Sequence, residues 1–285
     1  VALSPEQAAA LALAYQQAMS EVRDRVTAAV EASWLALSSW RDEDIAAFVR
    51  AVLPVVLGGQ QAMAGLVSAY LADSRSAALD VPPRPVGVRL DRVTGAAARN
   101  GTPPGVVYRR AGEQVWRDLG AGKPLDEAVR HGLDRATKAA QTDLQRTKTL
   151  AAREVIRDDG EVVGHRRVLV GPENCALCVV ASTQRYHKAD LLPIHPGCNC
   201  EPRPMYGRSD PGQVIDEETL AAAHEAIMST FGVSDAAARN PDYRKLILVR
   251  DHSELGPLLT VKKHRFSGPE VVKSKLDLSG IPGGR

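Results

Sequence analysis

The sequence predicts an α+β chain, mainly α, made of an N-terminal helical bundle, a long central helix, a small β-rich module stapled by cysteine, histidine and metal, and an extended C-terminal arm. Three observations lead there. Aromatic residues are only 4% of the chain against 44% hydrophobic residues, and alanine is abundant, which favours helices packed through small side chains over a sandwich or barrel. Apolar residues recur at helical spacing over two long stretches. All four cysteines fall between Cys175 and Cys200.

Ser4, Pro5 and Gln7 open the first helix: Ser4 can cap, Pro5 suits the first helical position, and Gln7 completes a capping box. Leu11, Tyr15, Met19, Val22, Val26, Val30 and Trp34 form one apolar stripe along it. Asp42, Glu43 and Asp44 place negative charge at the start of a second helix, expected to kink or stop near Pro54. A third helix is expected from about Gln60 to Arg75, with loops at 38–42 and 57–60. Residues 1–80 are thus read as the bundle. The apolar stretch Phe48–Leu71 is interrupted by Arg50, Pro54, Gly58-Gly59 and Gln60-Gln61, so it reads as two core helices with a turn, the alternative being a membrane-penetrating hairpin.

Val81-Pro82-Pro83-Arg84-Pro85 reads as a semi-rigid linker that opens a second segment, 81–160. A short helix carries Tyr108 and Trp116 and ends at Gly120-Ala121-Gly122. Pro124 then opens a long helix with Leu125, Val129, Leu133, Ala136, Ala140, Leu144, Ala151 and Val155 on one face, ending at Asp159-Gly160. Its other face carries Arg130, Arg135, Lys138, Arg146, Lys148, Arg153 and Arg157, expected to be a solvated stripe or a surface for an anionic partner. Val162, Val163 and Arg167–Val170 read as short strands, so residues 161–206 form the β-rich module. Residues 207–245 form a helical segment, with an amphipathic helix from Glu217 to Phe231, and residues 246–285 a docking arm.

Within the module, Cys175 and Cys178 stand at C-x2-C spacing, and His195, Cys198 and Cys200 follow in one short run. Cysteine pairs joined by a nearby histidine read as ligands of one structural zinc ion, which takes thiolate and imidazole in a closed tetrahedron. Four ligands suffice, so the choice between Cys198 and Cys200 stays open. Disulfides within or between the pairs are the alternative, and they need an oxidising compartment. A catalytic cysteine beside His187 or His195 is the third reading, and it leaves the remaining cysteines with no reason to cluster.

The net charge of +2 excludes a molecule that is basic overall. Basic residues do flank the cysteines, and Arg166, Arg167, Arg185, Lys188 and Arg203 are the candidates for contact with nucleic acid. At the arm, Leu258, Leu259 and Val261 followed by Lys262, Lys263 and Arg265 form an apolar-then-basic patch suited to docking on a partner. No G-x-S-x-G, Walker A, H-E-x-x-H or G-x-G-x-x-G motif is present, and no nucleophile–base pair is legible, so the sequence does not read as an enzyme. His165, His224, His252 and His264 read as surface or packing residues.

The run Gly122-Lys123-Pro124-Leu125-Asp126-Glu127-Ala128-Val129, the Arg/Ala-rich helix after it, His165-Arg166-Arg167-Val168-Leu169-Val170, Cys175-Ala176-Leu177-Cys178 and Pro193-Ile194-His195-Pro196-Gly197-Cys198-Asn199-Cys200 together resemble the Mu F-like head morphogenesis proteins, minor capsid proteins of tailed bacteriophages. The segment Asp251–Thr260 is similar to the ending of versions from phages of actinobacteria. The resemblance implies a structural protein inside the capsid of the virion, assembled in the host cytoplasm and associated with the portal protein. It also implies the major capsid or scaffolding protein as a partner, contact with packaged double-stranded DNA, and no membrane. Some relatives are fused to capsid maturation proteases, an activity without a signature here. The alternative readings are a zinc-containing DNA-binding protein of the phage head and a capsid maturation protease.

Overall fold

The computed structural model describes residues 5–84, 86–168, 176–182, 184–187, 201–207 and 247–261, with helical backbone also at Ala221, His224, Glu225 and Met228. It is mainly helical with small antiparallel sheets. Helix α1 spans Pro5–Leu35 and α2 spans Asp42–Leu79. A single turn, α3 (Leu90–Val93), and a 3-10 turn at Ala97–Arg99 lead to α4 (Pro104–Gly120) and α5 (Leu125–Asp158).

The expected stripe of α1 is the face it buries: Met19, Val22, Val26, Val30 and Trp34 all lie in the core. Trp34 stands edge-on to Phe48 of α2, with ring centroids 5.1 Å apart, and donates its indole N–H to the carbonyl of Val129 at 3.2 Å. Asp44, in the first turn of α2, accepts hydrogen bonds from the Ser39 hydroxyl and the Arg41 backbone N–H, which fixes where that helix begins.

The expectation of a break between Pro54 and Gln60 is corrected: α2 is one helix of 38 residues with Pro54 inside it. Proline forfeits one backbone hydrogen bond, but Val52, Val56, Met63 and Val67 bury on either side of it and tertiary packing carries the helix through. Gly59 is a packing residue, because a β-carbon there would lie 2.5 Å from Val26 Cγ2 and 3.0 Å from Leu144 Cδ2. By length and composition alone α2 is apolar enough to cross a membrane, and its inner face packs on α1, α4 and α5.

The pair α4 and α5 folds back as a helical hairpin whose turn is tied by Asp118, which sits 2.7 Å from His131 Nδ1 and 3.5 Å from Lys123 Nζ. One hydrophobic core joins α1, α2, α4 and α5, and Val86 and Val88 from the Pro-rich segment pack against it. The face of α5 expected to be solvated and basic is only partly so. Arg135 and Lys138 are exposed, but Arg146 and Lys148 are buried, because between Thr142 and Ile156 this helix is enclosed nearly all round. Leu125, expected in the apolar stripe, is exposed.

After α5, β1 (Val162–Val168), β2 (Arg185–Tyr186) and β3 (Glu201–Tyr206) form a three-stranded antiparallel sheet in the order β2-β1-β3, with the short helix α6 (Ala176–Ser182) between β1 and β2 in the chain. Val162 and Tyr206 join the helical core, so the sheet is seated on the bundle by one end. The last described elements, β4 (Ile247–His252) and β5 (Gly256–Val261), make an antiparallel hairpin. Residues 247–261 of the expected docking arm are thus paired strands. Residues 262–285 lie outside the described part.

Candidate functional site

The sheet frames the cysteine cluster. Val162 pairs with Tyr206 at the bundle end, and Val168 pairs with Glu201 at the other end. The strand that leads toward Cys175 therefore ends beside the strand that begins one residue after Cys200. Antiparallel partners of this kind hold their α-carbons roughly 5 Å apart. Between those strands, α6 packs on β1 and carries Cys178, which is fully buried. Glu201 is buried too, with Lys148 Nζ of α5 3.7 Å from its carboxylate, so the cysteine end of β3 is also tied to the long helix. Cys175, His195, Cys198 and Cys200 lie outside the described residues, and the choice of fourth ligand stays open.

His165, read from sequence as a surface or packing residue, is a packing residue at the centre of this sheet. It is fully buried and stacks on Tyr186, ring centroids 5.2 Å apart and planes 14° from parallel. Burial, with Arg167 and His187 adding repulsion, pushes its pKa down to about 3, so the imidazole is neutral at physiological pH. Arg167 lies over the other ring of the pair, 5.7 Å from the Tyr186 centroid.

Of the basic residues chosen as a nucleic-acid surface, two are buried and a third is tied to the bundle. Arg166 and Arg167 are 7% and 3% exposed, because β1 is the central strand with a neighbour on either side. Arg203 is half-buried and donates to the Tyr70 hydroxyl at 3.3 Å, holding β3 to α2. Arg185 is exposed, and Lys188 lies outside the described residues. The docking patch is corrected in the same way: Leu258 and Leu259 are buried within the structure and so present no apolar surface to a partner. Val261 ends β5, and Lys262, Lys263 and Arg265 lie beyond the described residues.

A second constellation was not anticipated from sequence. Arg99 Nε donates to Asp143 Oδ1 at 2.5 Å, Arg99 Nη2 donates to the Ala139 carbonyl at 2.8 Å, and its remaining arm meets Glu254 in the β4–β5 turn. Glu254 also accepts from Arg110, and the Tyr108 hydroxyl donates to Asp143 Oδ2 at 2.8 Å. Burial works against the Arg99 charge, but Asp143 and Glu254 together hold its pKa above the ordinary value. Burial likewise opposes charge on Glu254, and Arg110 and Arg99 overcome it, holding that carboxyl below the usual range. Asn100 Nδ2 donates to the Ser253 carbonyl at 3.0 Å, so the hairpin is seated on the 3-10 turn by backbone as well as charge. The groups come from positions 99, 108, 110, 143 and 254, and no local spacing in the sequence announces them.

Comparison of the chain with protein-family models, with curated proteins and with solved structures finds no match in any of the three.

Proposed function

We propose that this chain is a structural protein of a tailed-phage head, Mu F-like, that acts in head morphogenesis at the portal vertex inside the capsid. In this reading it is not an enzyme. One structural zinc is held by Cys175, Cys178, His195 and either Cys198 or Cys200, and the partners are the portal protein and the major capsid or scaffolding protein. It assembles in the host cytoplasm and ends inside the virion, without contact with a membrane.

The observation that carries this reading furthest is the pairing of Val168 with Glu201. It supports a clasp, because the two chain segments that hold the cysteine pairs leave the sheet at one end and Cys178 between them is already out of water. The sequence motifs that resemble the Mu F-like proteins run through the same sheet and the helix behind it. A closed thiolate–imidazole site suits a structural ion, since a catalytic zinc keeps one position open.

The test has two parts. Elemental analysis of the purified protein with a thiol count should give about one zinc per chain and thiols that react only after chelation or unfolding. Cys175→Ser should lower incorporation into heads and loosen residues 161–206 to protease. Absence of metal with no titratable thiols would replace the zinc with disulfides, and full incorporation of the variant would remove the support for the assembly role.

A further inference from the structure

Among the described residues, an open basic row lies outside the cysteine module. That row lies along α4 and α5. Arg110, Gln114 and Arg117 are spaced four and three residues apart, so they share one face of α4. Arg135 of α5 joins that face by donating from Nη1 to Gln114 Oε1 at 3.2 Å. Arg146, eleven residues on, returns to the same side of α5 three turns later. Arg99 lies against this stretch of α5 through the Ala139 carbonyl and Asp143.

The charges along this row do not balance. Five guanidiniums, from Arg99, Arg110, Arg117, Arg135 and Arg146, face two carboxylates, Asp143 and Glu254, and both carboxylates are committed to Arg99 and Arg110. Glu113, the next acidic neighbour, is engaged by Arg109 at 3.7 Å. Among the described residues no carboxylate lies in salt-bridge reach of Arg117 or Arg135, and both are exposed. Further along α5, Arg146 is 7% exposed, and its Nη1 has no hydrogen-bond partner among the described residues. Burial and then repulsion from Arg110 and Arg117 lower the Arg135 pKa against the pull of Glu113 and Glu254.

We infer that the α4–α5 face binds a polyphosphodiester chain, the backbone of nucleic acid, with Arg117 and Arg135 taking phosphates. Guanidinium forks match phosphate oxygens, and among the described residues nothing else compensates their charge. The half-buried Trp116 is engaged by its neighbours, with the Arg109 guanidinium 5.7 Å over its ring and its indole N–H given to the Trp40 carbonyl at 2.6 Å, so this face reads phosphate without base stacking. The inference stands apart from the portal reading, since a chain with no role at a portal would still carry this row.

The test is binding of the full chain to a random-sequence DNA duplex across a salt series, by fluorescence anisotropy. Arg117→Gln with Arg135→Gln should make the slope of log affinity against log salt shallower by about two, roughly one for each phosphate no longer neutralised. Arg23→Gln with Arg25→Gln, on α1, should leave it unchanged. Circular dichroism and melting confirm that both double variants fold, which their exposed positions favour. An unchanged slope in the α4–α5 variant, or a wild-type chain that binds poly-glutamate but not duplex at low salt, would overturn the inference.

Discussion

Glu254 shares its carboxylate between Arg110 and Arg99, a residue 155 positions earlier in the chain. The pair joins a hairpin turn to the centre of the helical core, and Arg99 is 5% exposed. Replacing Glu254 with Gln keeps the shape and removes the charge, leaving Arg99 to Asp143 alone. The expected cost is about 3 kcal/mol, the low end of the range for removing one partner of a buried ion pair, because Arg99 keeps Asp143. Chemical denaturation measures it, and limited proteolysis should show the segment around 247–261 cut first. Because the Glu254 pKa is held down, its contribution is complete above the ordinary carboxylate range and fades as pH falls through the lower folded value.

The glycines of the helices fall into two kinds with opposite expected outcomes. At Gly58 and Gly65 a β-carbon would meet nothing within 4 Å, so Ala there should stabilise by about 1 kcal/mol each through helix propensity. At Gly132 a β-carbon would lie 2.4 Å from Trp34 Cζ2, and at Gly112 it would lie 2.6 Å from Ile45 Cγ1. Ala at either should destabilise by roughly 1–3 kcal/mol, the usual result of overpacking. Thermal melts of the four single variants decide it, and a uniform sign across them would contradict this division.

His165 sets a pH dependence. Its folded pKa of about 3 lies below the ordinary 6.5, so between those values the unfolded chain binds the proton and the folded chain does not. Stability is therefore complete above the unfolded value and is lost as pH falls, by about 1.4 kcal/mol per unit. Denaturation at pH 7 and pH 5 should differ by roughly 2 kcal/mol from this group alone. His165→Leu should flatten that difference whatever it does to absolute stability, and an equally steep loss in the variant would assign the effect elsewhere.

Pro54 is exposed in the middle of α2 and contributes no N–H to that helix. Pro54→Ala should restore the hydrogen bond and stabilise by about 1–3 kcal/mol, read as a shift in denaturation midpoint. A loss of stability would mean that the proline's own packing outweighs the missing bond.

The helical half of the fold was legible because burial repeats at helical spacing, as from Met19 to Trp34, and because Pro124 and Asp159-Gly160 mark the ends of α5. The pair Gly58-Gly59 misled because a glycine pair signals a turn and close helix packing equally well, and only the position of Val26 and Leu144 separates the two. Arg166 and Arg167 misled because charge usually means surface, whereas a central strand buries whatever it carries. The Arg99–Asp143–Glu254 cluster had no signal at all: its members are brought together by tertiary packing, and nothing local sets Asp143 apart from the other acids of α5. The cysteine spacing was the plainest local signal, and the sheet adds to it only where the strands begin and end.

The pairing of Val168 with Glu201 bears on how readily the two halves of the cysteine cluster find each other. Closing a loop through residues 169–200 has an entropic cost that grows with the logarithm of its length. Here the backbone hydrogen bonds of β1 and β3 have already met that cost, whether or not any sulfur is engaged. A cross-link formed across the cluster, by metal or by oxidation, then starts from a high effective concentration of its partners. Its own free energy then adds to that of the strand pairing in holding residues 161–206 together.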